Sequence, residues 1–144
     1  MSYLDIEAIK VLKARYFRYV DTKDWKSWRE LFTEDARINI DGTDRTADEF
    51  LEFTSQALEG TFTVHHGYMP EIELMGDSTA RGIWAMHDWA VFANGSVMRG
   101  WGHYHESYRR VGDEWRINEL TLTRLRVDQA TTDLSSAPTS IRPS

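Results

Sequence analysis

With 144 residues, a formal net charge of −6 and no cysteine, the sequence predicts a single acidic domain. The negative charge argues against nucleic-acid binding, and the lack of cysteine excludes disulfides, thiolate metal sites and thiol nucleophiles. Six Trp, six Tyr and six Phe are many for this length and suit either a core or an apolar ligand pocket. No stretch resembles a signal peptide or reaches membrane-spanning length, so we expect a soluble cytoplasmic protein without membrane association.

The beginning of the chain predicts an amphipathic helix over residues 4–20. Apolar side chains recur there at intervals of three and four, while basic side chains take the remaining positions. The predicted inward residues are Ile9, Leu12, Tyr16 and Val20, and the predicted solvent-facing residues are Lys10, Lys13, Arg15 and Arg18. Tyr16 is therefore expected to point into the protein.

Two more helices and a short strand are predicted before residue 60. Aromatic spacing predicts a second helix over 25–32, and residues 36–40 alternate like a strand that stops at an Asp-Gly pair. Residues 46–49 have the pattern of a capping box, which predicts a third helix that ends before Gly60. The residues expected to be buried on this third helix are Phe50, Phe53 and Ala57.

Asp21 stands at the end of the first predicted helix, where a carboxylate opposes the helix dipole. One interpretation is that Asp21 or Asp24 caps the second helix, because Asp is a preferred N-cap residue. The other interpretation is that Asp21 faces a closed pocket and acts chemically with a distant histidine. The local sequence leaves both interpretations open.

The periodicity changes to that of strands after Gly60. Runs rich in Thr, Val, Ile, Trp and Tyr are separated by tight-turn signals, of which Asn94-Gly95 is the strongest. The predicted strands of this antiparallel meander are 61–75, 78–93, 96–110 and 114–127. Pro70 predicts a bulge or bend in the first of them.

Helices followed by a meander indicate an α+β fold. A strongly curved antiparallel sheet that wraps the helices would leave a cone with a cavity inside. Residues 1–128 are expected to form this single domain, and residues 129–144, rich in Ser, Thr and Pro, are expected to be a loose tail.

Two histidines and one acid of the meander are candidates for chemistry. His65 and His66 are neighbours on a strand, so at most one of them faces the interior. Histidine can act as a general base near neutral pH, although a strand histidine is more commonly structural. An interior His65 with Asp21 at its other ring nitrogen would form a dyad. Asp88 shares a strand face with apolar residues, so either the alternation switches faces there or Asp88 lies in the pocket.

Other polar groups give weaker signals. His103 and His105 share a strand face at a spacing that zinc sites use, but without an evident third ligand we expect no metal. Arg124 and Arg126 share a face of the last strand, where charged residues often protect a sheet edge. The sequence has no Gly-rich phosphate loop, nucleophile elbow or dinucleotide fingerprint, so we expect no cofactor.

Several motifs together resemble the SnoaL-like branch of the nuclear transport factor 2-like superfamily. They are Tyr-Val-Asp-x-x-Asp-Trp at 19–25, Leu-Phe-Thr-Glu-Asp-Ala at 31–36, the pair at 65–66, Gly-x-Tyr-His-Glu-x-Tyr-Arg at 102–109 and Glu-Trp-Arg-Ile at 114–117. The resemblance covers nearly the whole chain and implies a cystatin-like α+β barrel, shaped as a cone, with a deep cavity. Members include dehydratases, a dehydrochlorinase, isomerases, polyketide cyclases, oxygenase small subunits and proteins that only bind ligands.

The resemblance also implies roles for particular residues. Asp21 and His65 match the Asp and His that work together in the dehydratase and dehydrochlorinase members. Tyr16 matches an acid or charge stabiliser, Asp88 matches a second acid, and Arg126 matches a C-terminal arginine, with Arg124 as the alternative. One departure is that the usual Asn before the strand proline is replaced by Met69.

These observations predict a cofactor-free lyase of the dehydratase type that acts on a small hydrophobic cyclic molecule. Asp21 would orient His65, which would remove a proton from carbon while Tyr16 donates one. Trp84, Met86 and Trp101 are expected to line a cavity of roughly 300–600 Å³. Alternatives are a ketosteroid-isomerase-like isomerase, a polyketide cyclase, a non-catalytic ligand binder and a structural oxygenase subunit. Outward aromatic residues, Trp89 with either Tyr104 or Trp101, predict a homo-oligomer, either a trimer or a dimer.

Overall fold

Three helices and six strands make up residues 3–131, the part of the chain that the computed structural model describes. The helices are α1 (Tyr3–Thr22), α2 (Trp25–Arg29) and α3 (Ala47–Ala57). The strands are β1 (Phe32–Ile40), β2 (Thr43–Thr46), β3 (Phe62–Leu74), β4 (Thr79–Val91), β5 (Ser96–Val111) and β6 (Glu114–Thr131). Among these residues, no helix combines the length and the apolar character that crossing a membrane requires.

The six strands form one curved, unclosed sheet in the order β2-β1-β6-β5-β4-β3. Strands β3 to β6 are the predicted antiparallel meander, and the α+β cone prediction is confirmed. Strand β1, however, pairs with β6 in parallel, so the sheet is mixed rather than antiparallel. The sequence pattern missed this pairing because alternation assigns the two faces of a strand but not its neighbour.

The sheet extends further toward the N-terminus than predicted. The second helix ends at Arg29, and β1 already begins at Phe32. The Asp-Gly pair that ends β1 is a hairpin turn into β2, with φ of 55° at Asp41 and 81° at Gly42. Asp and Gly suit this turn because they adopt left-handed backbone conformations at low cost. The hairpin brings the Asp41 carboxylate within 3.2 Å of the Arg124 guanidinium.

The inner side of α1 packs on the sheet as the helical periodicity predicts, with one exception. Ile9, Leu12, Tyr16 and Val20 are all buried. Lys13, predicted to face solvent, has no exposed surface at all. Lys13 is four residues after Ile9 and three before Tyr16, so it lies on the buried face of the helix. Its position on the helix, and not its residue type, therefore indicates its burial.

The third helix ends before Gly60 as predicted but buries a partly different set of residues. The Thr46 capping box is present, with the hydroxyl accepting from the Glu49 backbone N–H at 3.1 Å. Phe50 is buried as predicted, but Phe53 is 53% exposed and Ala57 is also exposed. Thr54 is buried instead of Phe53, because the row that faces the sheet consists of Ala47, Phe50 and Thr54.

Two irregularities involve the long strands. The β3–β4 register shifts between Tyr68 and Glu71, and Met69 has a φ of 43°, so the bulge predicted from Pro70 is present. Strand β6 continues to Thr131, three residues into the stretch predicted to be a tail. Residues 132–144, the rest of that predicted tail, lie outside the described residues.

Candidate active site

Asp21 and His65 lie in contact where the end of α1 meets β3. Oδ1 of Asp21 is 2.7 Å from Nδ1 of the His65 ring. The His65 backbone N–H donates to Oδ2 at 2.9 Å, and the Thr63 hydroxyl donates to Oδ1 at 3.0 Å. Asp24, not Asp21, is the N-cap of α2, since its carboxylate accepts from the Ser27 backbone N–H at 3.3 Å. Asp21 is therefore held entirely by groups on β3.

This arrangement determines which nitrogen of His65 is basic. An ionised carboxylate only accepts hydrogen bonds, so Nδ1 carries the proton that it donates to Asp21. In the neutral ring Nε2 is then the acceptor. The side chains of His65 and Asp21 are 16% and 23% exposed, so the pair is largely shielded from water.

A cavity of about 450 Å³ lies beside this pair, between α1 and the sheet. Ala14, Phe17, Gly67 and Trp84 give it an apolar wall, and Asp21 and His65 are part of its polar lining. The other polar residues that line it are Lys10, Arg18, Thr22 and His66. A Cβ at Gly67 would lie 2.6 Å from the Phe17 ring, so only glycine allows the helix to approach the strand this closely. The volume lies within the predicted range. His66 is exposed, also lines this cavity, and has its Nδ1 3.4 Å from the Tyr68 hydroxyl.

Asp88 lies directly opposite His65 in the β3–β4 register and is 4% exposed. Arg124 donates to both of its carboxylate oxygens, at 3.1 and 3.0 Å, and also donates to Asp41 at 3.2 Å. Gly100 makes this possible, because a Cβ there would collide with both the guanidinium and the Asp88 carboxylate. A buried carboxylate is tolerable when it is paired in this way. The inward row of β4 thus continues through Asp88 without switching faces.

Tyr16 lies deeper than the cavity wall. It is 3% exposed, and its ring packs edge-on against Phe17 at 5.5 Å and Tyr104 at 5.8 Å. Burial raises the pKa of the Tyr16 phenol above its usual range, and the negative charges of Glu106, Asp88 and Asp21 add to this. Tyr16 is therefore protonated at neutral pH, and it does not itself line the cavity.

Two of the three residues predicted to line the cavity do not do so. Trp84 forms part of the wall, whereas Met86 is buried on the same strand face without lining the space. Trp101 is on the outer face of the sheet, where it stacks on His87 with ring centroids 5.3 Å apart. Strand parity explains the error, because Gly100 and Gly102 on either side of Trp101 face inward.

Arg126 is also placed differently from its prediction. Its side chain is 72% exposed and donates to Asp128 at 2.6 Å. A register shift in the β5–β6 pairing sets Arg124 opposite Gly102 but Arg126 opposite Trp101. This bulge puts the two arginines on opposite faces although they are two residues apart, which simple alternation cannot predict. The arginine near Asp88 is therefore Arg124.

The sequence interpretation missed several polar residues of this region. Lys13 and Glu106 form a fully buried ion pair, with Nζ 2.5 Å from Oε2. Strand parity could have found Glu106, because it lies on the inward row between Tyr104 and Tyr108. The pair His103 and His105 lies on the outer face, with ring centroids 6.4 Å apart. Within residues 3–131, no group of three His, Asp or Glu side chains is arranged to hold a metal ion.

Fold and site together define an α+β cone with a helix-to-strand Asp–His contact beside an apolar cavity. Comparison with known families agrees with that description. The family model of the SnoaL-like domain matches residues 1–121, and the chain belongs to this family.

Individual relatives are more distant. The chain is similar to the probable cyclase FGR4 of Gibberella zeae, with 26% identity over 129 residues that cover 78% of this chain and 86% of that protein. A solved structure of a hexachlorocyclohexane dehydrochlorinase, LinA type 2, has a TM-score of 0.83 at 18% identity and covers 96% of each chain. A putative scytalone dehydratase from Novosphingobium aromaticivorans has a TM-score of 0.80 at 15% identity, covering 94% of this chain and 96% of that one. At such identities the two structures establish the shared fold only.

Proposed function

We propose that this protein is a lyase of the dehydratase or elimination type that acts without a cofactor on a small hydrophobic cyclic substrate. The observation that carries this proposal is the 2.7 Å contact between Asp21 and His65 beside an apolar cavity of about 450 Å³. A family whose relatives include a cyclase, a dehydratase and a dehydrochlorinase supports a lyase-type or cyclase-type role.

In the proposed reaction, Nε2 of His65 removes a proton from a substrate carbon. The electrons of that C–H bond form a carbon–carbon double bond, and the bond to the leaving group on the neighbouring carbon breaks. The imidazolium that forms is stabilised by the adjacent anion of Asp21. Arg124 neutralises Asp88 opposite His65, so Asp21 is the anion available to balance the new cation.

Tyr16 is the proposed proton donor to the leaving group or carbonyl. Its raised pKa keeps the phenol protonated, which a donor requires. Tyr16 does not line the cavity, but its ring packs edge-on against Phe17, which does. Trp84 supplies the apolar surface against which a cyclic substrate would pack.

A cyclase is the second candidate, favoured by the 26% identity to a probable cyclase. Both reactions begin with removal of a proton from carbon, so His65 would have the same role in each. They differ in the next step, which is loss of a leaving group in the lyase and carbon–carbon bond formation in the cyclase. Product analysis separates them.

The test uses 3-hydroxy-1-tetralone, an apolar bicyclic β-hydroxyketone that loses water to give 1-naphthol. The wild-type protein is expected to accelerate this dehydration, followed by the fluorescence of 1-naphthol. His65→Ala should lower the rate by about 10²–10⁴, the usual contribution of a general base. His105→Ala, an exposed histidine on the outer face of the sheet that does not line the cavity, is the control and should retain the full rate. Equal rates for His65→Ala and wild type would contradict the proposed role of His65.

A further inference from the structure

The Lys13–Glu106 pair is a buried polar unit with no part in the reaction described above. Both side chains have no exposed surface, and Nζ lies 2.5 Å from Oε2. Burial lowers the pKa of Lys13 to about 8, although the Glu106 carboxylate opposes that shift. Lys13 is on the inward row of α1 and Glu106 is on the inward row of β5, so the pair joins the helix to the centre of the sheet.

Aromatic rings enclose the Lys13 ammonium group. Nζ lies 3.7 Å from the centre of the Tyr16 ring and 3.6 Å from that of Tyr104, with Phe17 at 4.9 Å. A cation at these distances attracts the faces of aromatic rings. Burial raises the pKa of both the Tyr16 and the Tyr104 phenol. Asp88 is close enough to raise both pKa values. The ion pair therefore contacts two rings whose phenols are influenced by Asp88, the residue opposite His65 in the β3–β4 register.

Glu106 extends the same unit to the cavity wall. Its second oxygen accepts from the Tyr108 hydroxyl at 2.6 Å, and that hydroxyl accepts from the Trp84 indole N–H at 2.9 Å. Trp84 forms part of the apolar wall. One chain of hydrogen bonds thus runs from the buried ammonium group to a side chain that a cyclic substrate would touch.

Stability alone does not account for such a pair. Removing two charges from water is costly, and replacing a buried ion pair by apolar residues of similar volume is often neutral or stabilising. An apolar pair at positions 13 and 106 would fill the same space at lower cost. An apolar pair would have no cation to attract the rings of Tyr16 and Tyr104. It would also offer no hydrogen-bond acceptor to the Tyr108 hydroxyl.

We propose that Lys13 and Glu106 are positioning residues that hold the Tyr16 and Tyr104 rings, and through Tyr108 the Trp84 indole, in the orientation that the Asp21–His65 site requires. This inference rests on the lyase function proposed above. Neither residue touches the substrate, so their effect on the reaction is exerted through the aromatic side chains.

The first test separates positioning from stability. The variants are Lys13→Met, Glu106→Leu and the combination of both, compared by urea unfolding and by dehydration of 3-hydroxy-1-tetralone. Each single variant should lower the urea midpoint, because it leaves one buried charge without its partner. The double variant should regain most of the midpoint lost in the single variants, short of the wild-type value because the buried Tyr108 hydroxyl has lost its acceptor. Its kcat should stay about ten- to a hundredfold lower with KM little changed, as misplaced groups produce. A double variant with wild-type kcat would overturn the proposal.

A matched control is the ion pair between Glu73 and Arg81 on the outer face, with a distance of 2.8 Å and both side chains exposed. The double variant Glu73→Leu/Arg81→Met likewise replaces an acid by Leu and a base by Met, without touching the enclosed rings. Its urea midpoint and kcat should both stay at wild-type values. Loss of kcat in this control would mean that the effect of the buried double variant is not specific.

A second measurement does not depend on any substrate. Tyrosine labelled with ¹³C gives ring signals, which are assigned to Tyr16 and Tyr104 with the Tyr16→Phe and Tyr104→Phe variants. In the Lys13→Met/Glu106→Leu protein these two signals should shift and broaden, while that of the half-exposed Tyr19 stays unchanged. Unchanged Tyr16 and Tyr104 signals would overturn the proposal. If the wild-type protein does not dehydrate the probe, the lyase function fails, and the signals still decide whether the pair holds the rings.

Discussion

Two of the acid–base contacts between helix α1 and the sheet differ in what surrounds them. Asp21 meets His65 beside a cavity, with about a fifth of each side chain exposed, at 23% and 16%. Lys13 meets Glu106 two turns earlier in the helix, with no exposure on either side. The two distances, 2.7 and 2.5 Å, are similar, so access to a ligand is what distinguishes the contacts. Only the first leaves a basic nitrogen facing space that a substrate can occupy.

Replacing Asp21 should affect activity far more than stability. In Asp21→Asn the side chain keeps its shape but loses the charge that stabilises the His65 imidazolium, so the dehydration rate should fall by about 10²–10⁴. The urea midpoint should fall only modestly, because the Asn oxygen still accepts from the Thr63 hydroxyl whereas its NH2 group cannot accept from the His65 backbone N–H. The matched control is Asp24→Asn, since Asn caps a helix as well as Asp does. An Asp21→Asn protein with full activity would remove the chemical role of the contact.

Replacing Lys13 alone should, in contrast to replacing Asp21, strongly lower the stability of the protein. Lys13→Met leaves Glu106 buried without its cation, and loss of one partner of a buried ion pair costs about 3–5 kcal/mol. Urea unfolding measures this as a lower free energy of unfolding. Lys10→Met, one turn earlier on an exposed part of the helix, should change it by less than about 0.5 kcal/mol. If Lys13→Met were as stable as Lys10→Met, the enclosed pair would not differ from a surface contact.

The two arginines of β6 provide a second comparison between a buried and an exposed ion pair. Arg124→Met leaves the buried Asp88 carboxylate without its bidentate partner, at an expected cost of about 3 kcal/mol. Arg126→Met loses only an exposed contact with Asp128, expected to cost less than about 1 kcal/mol. Both variants remove one positive charge from the same strand, so a difference between their urea midpoints reports burial. Equal midpoints would contradict the placement of Arg124.

The sequence predicts the architecture well because its periodicity indicates the type of each element and which of its faces is buried. The inward row of α1 and the four meander strands follow from the spacing of apolar residues. Asp88 could be placed on the inward face by parity with Trp84. His65 could be paired with Asp21 only as a hypothesis, because the two lie 44 residues apart and periodicity does not show which elements meet.

The sequence could not predict features that depend on a distant partner residue or on a single residue inserted into a strand. Lys13 was assigned to solvent because lysine is almost never buried unless paired, and its partner Glu106 lies 93 residues further along. Arg124 and Arg126 were separated by a β-bulge, which reverses the alternation locally. Trp101 was assigned to the cavity by its residue type, against the parity of its glycine neighbours. In each case a property of the folded chain overrode a local rule.

The pH dependence of the free energy of unfolding should report the titration of Lys13 and of the buried tyrosines around it. Burial gives Lys13 a pKa of about 8 in the folded protein, below the unfolded value of 10.5, so between these values the unfolded chain binds more protons and stability rises with pH. Burial raises the pKa of Tyr16, Tyr104 and Tyr108 above 10, so their contribution is present below pH 10 and is lost at higher pH.

The free energy of unfolding should therefore rise by about 1–3 kcal/mol from pH 8 to 10 and fall above that, by up to about 1.4 kcal/mol per pH unit for each tyrosine. Urea unfolding at half-unit pH steps measures the curve. In Lys13→Met/Glu106→Leu the rise should disappear while the fall above pH 10 remains, since the tyrosines stay buried. A rise of the same size in the double variant would mean that a group other than Lys13 releases the proton, and the enclosed pair would then not be the titrating unit.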